Sequence, residues 1–163
     1  MNPLDSLTPD PRWQSLVAEY GDLVRMSEAW PRAPGAPQEV ARILAVSRHL
    51  FCHSWFVYDF LMVAAVQSLI AIEAALRDLL DEPPRRRGPG MRNLVERAVS
   101  RGLIPEEQAE GVLAAVDLRN SWLHVGGQKV ISPAIAQQVV AESHAVIADL
   151  YTTQARSSSE VAE

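Results

Sequence analysis

Residues 60–72 form a nearly unbroken apolar run, interrupted by Gln67 and bounded by Asp59 and Glu73. A bilayer span takes about 20 consecutive apolar residues. A shorter helix that is apolar around most of its circumference has to be enclosed by other elements of the same domain. The chain is 163 residues long and 48% apolar, which suits one domain built around such a central helix.

The punctuation on either side of the run fits helices throughout. Asp10-Pro11 opens a helix expected over residues 10–30, with Trp13, Leu16, Val17, Tyr20, Leu23 and Val24 at helical spacing. The proline-rich segment 31–37 breaks it. A second helix is expected from Gln38 to about His53, and a third from Trp55 to Leu80 with Ser54 as its cap, the two being nearly continuous in an alternative reading. Pro83-Pro84 stops the third helix and begins a loop carrying Arg85, Arg86 and Arg87. A short helix over residues 91–101 ends at Gly102, a glycine suited to the left-handed position after a helix. Pro105, Glu106 and Glu107 open another that runs toward His124, the two acids complementing the positive end of its dipole. Residues 129–131 are expected to be extended, and Ser132-Pro133 starts a last helix ending near Tyr151. The expected fold is all-α, a bundle of about five or six helices. Residues 1–9 form an arm, 10–152 the domain, and 153–163 a flexible polar tail.

Net charge is −5, which excludes a general basic surface for long duplex nucleic acid; any such contact is local. Lys129 is the sole lysine, so arginine supplies nearly all positive charge. Cys52 is the sole cysteine and reads as a small buried hydrophobe in an aromatic-rich segment. The N-terminal residues have no basic region followed by an apolar one, and with a lone cysteine the expectation is a reducing, cytoplasmic setting without a membrane. Glu-x-x-His, His-Glu-x-x-His and paired cysteines are absent, as are glycine-rich phosphate loops, so no metal and no cofactor is expected. His49, His53 and His144 read as packed or surface histidines.

The segment that carries chemistry is Leu118-Arg119-Asn120-Ser121-Trp122-Leu123-His124, followed by Gly126-Gly127. A helix delivers a permanent cation and a titratable imidazole to a glycine-marked end. Such a pair suits a phosphodiester, because arginine forks onto phosphate oxygens and histidine moves protons near neutrality. Asn120 and His124 share a helix face. Arg119 and His124 lie about 140° apart around the axis and roughly 7.5 Å along it, so they converge only if the helix ends between them or a second copy completes the cleft. Arg119 has Glu107, Asp117 and Glu73 as candidate partners. Glu73 is expected either to anchor Arg119 from behind or, the stronger reading, to form a surface pair with Arg77. Arg85, Arg86 and Arg87 are either a basic finger on RNA phosphates or a solvated linker.

Arg119, Asn120 and His124 resemble the Arg-x(4–6)-His motif of the HEPN superfamily (higher eukaryotes and prokaryotes nucleotide-binding domain), at its shortest spacing and with a polar residue after the arginine. Residues 68–77 look like the long helix of bacterial members, and the resemblance spans roughly residues 40–152. It implies a HEPN-type, metal-independent endoribonuclease of toxin or phage-defence kind, with Arg119 and His124 catalytic, Asn120 and Glu73 supporting. It also implies a homodimer with both catalytic residues at the interface, and an antitoxin or regulatory partner. Two places after His124, where toxins of the HEPN–nucleotidyltransferase pairs commonly carry tyrosine, this chain has Gly126, so the resemblance brings no tyrosine modification with it. The competing readings are a non-catalytic helical module that binds RNA, a nucleotide or a protein, and a structural subunit anchored by Trp13, Trp30 or Trp55.

Overall fold

The computed structural model describes residues 8–13, 15–83, 88–123 and 131–160. The described residues form six α-helices: α1 (Tyr20–Glu28), α2 (Gln38–His53), α3 (Phe60–Leu80), α4 (Met91–Ser100), α5 (Glu106–Leu123) and α6 (Pro133–Glu160). The chain is an all-helical bundle, with no strand among the described residues.

Helix α3 is the axis. It packs most extensively on α2 and α6, and also on α4 and α5. Leu61, Leu69, Ile72, Leu76 and Leu80 fill the centre, while Ala64, Ala65, Ala71 and Ala75, all fully buried, let neighbouring backbones approach. Ser68 of α3 and Ser143 of α6 meet through a buried hydroxyl–hydroxyl hydrogen bond of 3.0 Å, made possible by this close approach. The helix exceeds the apolar run that announced it. Its 21 residues are long and apolar enough to cross a membrane by length and composition alone, yet 56% of that apolar window is buried inside the domain. Burial, which length cannot report, identifies it as the core helix.

The expected helix over residues 10–30 is instead a short 3-10 turn, Pro11–Trp13, followed by α1 starting at Tyr20. Tertiary ties explain the break. The Trp13 indole N–H donates to the Ser54 carbonyl at 2.6 Å, and the Asp10 N–H donates to the Trp55 carbonyl at 2.8 Å. These bonds hold the segment on the α2–α3 corner, and the Asp22 carboxylate restarts the helix by accepting from the Ala18 and Glu19 N–H groups. Leu16, expected on the apolar stripe, is 54% exposed. Ser54 does not cap α3. It follows the last turn of α2, its hydroxyl donating to the Phe51 carbonyl, and α3 begins at Phe60.

Helix α2 has the bounds expected for it. Helix α4 ends as expected at Gly102, whose φ of 69° lets its N–H reach the Val99 carbonyl and that of Leu103 reach the Ala98 carbonyl. Ser132 caps α6, its Oγ accepting from the Ile135 N–H at 3.3 Å. That helix continues to Glu160, beyond the end expected near Tyr151 and through most of the expected tail; no glycine or proline interrupts residues 148–160. Trp13, Trp30 and Trp55 are all buried, so none is an exposed anchor for an assembly.

Candidate functional site

Arg119 lies inside the domain because of its register. On α5, Ala109, Val112 and Val116 form the inward stripe, and Arg119 is its next member. A position that periodicity assigns to the core thus carries a permanent charge. Arg119 is only 8% exposed.

Its hydrogen bonding is sparse. One terminal N–H donates to the Asn120 carboxamide oxygen at 3.1 Å, and the Nε–H has no acceptor among the described residues. The three carboxylates proposed as partners do not pair with it. Asp117 pairs with Arg92 of α4 at 3.1 Å on the surface, Glu73 pairs with Arg77 at 2.9 Å, and Glu107 stands at the exposed start of α5. A buried guanidinium without a carboxylate is costly, because water has been removed and nothing of opposite charge replaces it.

Arg77 is where Glu73 goes, but the pair is not on the surface. Its two side chains are 11% and 9% exposed. Arg77 also donates to the carbonyls of Pro83 and Pro89, at 2.9 and 2.8 Å. One guanidinium thereby ties both described ends of the arginine-rich loop to the core helix. The spacing of four between Glu73 and Arg77 was a visible signal for the pair; the two carbonyls that draw it inward were not. Of the predicted site, Arg119 and Asn120 are brought together, while His124, Arg85, Arg86 and Arg87 lie outside the described residues.

Among the described residues two clefts are well formed, and neither is lined by Arg119. One of about 210 Å³ lies between α3, α5 and α6, lined mainly by Leu69, Ile72, Val112, Val139 and Val146. The other, about 550 Å³, lies between α1, the proline-rich segment and α2, with His144 of α6 in its wall. Sequence reading set aside the residues of this second cleft. His144 is a packed histidine, as expected, but it meets Arg48, with guanidinium and Nδ1 3.3 Å apart. Burial pushes the imidazole down to about 4, and the nearby Arg48 charge acts in the same direction. The Cys52 thiol in the same wall is pushed up by burial, so it stays protonated and unreactive. No three His, Cys, Asp or Glu side chains among the described residues cluster as metal ligands.

No family model, no curated protein and no solved structure matches this chain.

Proposed function

We propose that the chain is a HEPN-type endoribonuclease that cleaves RNA without a metal. The observation that carries this reading is the buried Arg119 guanidinium, which no carboxylate among the described residues neutralises and which Asn120 holds by one hydrogen bond. A phosphodiester is the counter-charge such a group suits. In the reaction, the ribose 2′-oxygen bonds to the adjacent phosphorus and the bond from phosphorus to the 5′-oxygen breaks. The 2′-hydroxyl proton leaves and one proton is delivered to the departing 5′-oxygen. His124 serves as the acid or base, and Arg119 stabilises the added negative charge on the phosphorane-like transition state. Asn120 orients Arg119, while Glu73 pairs with Arg77 and so acts on the arginine-rich loop rather than on Arg119. A second copy across a two-fold axis completes the cleft. A toxin or phage-defence role, with an antitoxin or other regulatory protein, follows from the same resemblance.

A second reading, a non-catalytic module that binds RNA, a nucleotide or a protein partner, is favoured by how little of Arg119 reaches solvent. The two are separated by incubating a mixed RNA pool in EDTA with wild type, Arg119→Ala and His124→Ala, then identifying the product ends. The enzyme reading expects 2′,3′-cyclic phosphate and 5′-hydroxyl ends from wild type alone. Absence of cleavage by folded, dimeric wild type, with RNA or partner binding intact, selects the second.

A further inference from the structure

The cleft beside α2 is a built site that the ribonuclease reading does not use. Arg48 is half-buried in its wall and held at two points: one N–H donates to the Ser27 carbonyl at 2.5 Å and another approaches His144 Nδ1 at 3.3 Å. Arginine only donates, so Nδ1 accepts and the neutral imidazole carries its proton on Nε2. That Nε2 is buried and completes no hydrogen bond of good geometry among the described residues, although the Pro31 backbone acts on the imidazole to favour its charged form. The guanidinium carbon of Arg48 also sits 5.7 Å from the centre of the Trp30 ring, which itself packs on His144.

Arg48 has no carboxylate within salt-bridge distance among the described residues, and another cation, Arg32, lines the same cleft along with Glu28. Burial and the Arg32 charge both lower the Arg48 pKa, with Cys52 and then Glu28 opposing them. Two like charges from separate segments facing one cleft repel unless an anion lies between them. The remaining wall is mainly apolar, with Val24, Ala33, Pro34, Ala41 and Leu44, and Tyr20, Ser27, Cys52 and His49 complete it. At about 550 Å³ the cleft is in the size range of small-molecule sites.

We propose that this cleft binds a small organic anion, with a single carboxylate or phosphate head held between Arg48 and Arg32 and an apolar body against the Val24–Leu44 wall. Glu28 on the rim disfavours ligands that carry negative charge along their length. The site is separate from Arg119 and stands or falls independently of the ribonuclease reading.

The test is calorimetric titration of the full chain with phenyl phosphate, benzoate and benzylammonium, which share a ring and differ in the head. Wild type is expected to bind at least one of the two anions and not the cation, the preferred anion identifying the head. Arg32→Gln, at an exposed position that leaves the fold intact, is expected to weaken that binding by about ten-fold, the loss of one charge-assisted contact. Arg48→Met is expected to abolish it, and Arg119→Ala to leave it unchanged. Should Arg48→Met fail to fold, Arg32→Gln alone decides. Failure of wild type to bind either anion at millimolar concentration, equal binding of benzylammonium, or indifference to Arg32→Gln would overturn the proposal.

Discussion

His144 shows how one residue couples this domain to pH. Burial holds the imidazole at about 4 in the folded chain, against 6.5 for an ordinary histidine. Between those values the unfolded chain takes up a proton that the folded chain refuses. The stabilisation is therefore complete above about pH 6.5, falls as pH drops through the window, and levels off below about pH 4; the difference amounts to about 3 kcal/mol. Urea unfolding at pH 7 and pH 4.5 should show most of that loss in wild type and a much smaller one in His144→Gln. An unchanged loss in the variant would assign it elsewhere. Asp10 titrates in a lower window: hydrogen bonding from Arg12 holds its carboxylate down to about 2, so its contribution persists to below pH 3.8 and does not blur the His144 signal. From sequence, His144 was legible as a packed residue. Its partner Arg48, 96 residues away, was not, because helical periodicity names a face and does not say which other helix meets it.

At the scale of elements, the helices most legible in the sequence were those ended by local chemistry. Gly102 follows α4 with φ 69° and nothing within 4 Å of an added Cβ. Gly102→Ala should accordingly cost about 1 kcal/mol through backbone conformation alone, measurable by thermal unfolding. Elements shaped by distant contacts were misread. The Trp13 and Asp10 bonds to the α2–α3 corner broke a helix that its own apolar spacing supported. Arg77 belongs to the same class, since its carbonyl partners Pro83 and Pro89 turn an apparent surface pair into a buried clasp. Arg77→Met should destabilise the domain by about 3 kcal/mol, as expected when one member of a buried pair is removed. In a double-mutant cycle, Glu73→Gln should cost less in that background than alone. Additivity of the two substitutions would show that the pair is not coupled.

For the whole molecule, the central apolar run announced a domain wrapped around one helix, and α3 fills that place. The candidate site was legible only to the level of a motif. Arg119 stood out as a phosphate-binding type, while its burial followed from a register shared with Ala109, Val112 and Val116 that becomes meaningful once α5 is packed. The proposed two-fold cleft predicts that sedimentation yields twice the 17.9 kDa chain mass; a monomer at the concentrations where RNA is cleaved would contradict it. The proposed chemistry requires Arg119 to be retained for an anion at a cost to the fold. That is tested most directly by Arg119→Met, followed in parallel by thermal unfolding and by RNA cleavage and binding. Replacing an unneutralised buried charge with an apolar chain of similar length should leave the melting temperature equal or higher while the interaction with RNA is lost. A melting temperature lowered by several degrees with RNA interaction unchanged would make Arg119 a strut of the bundle and contradict the account.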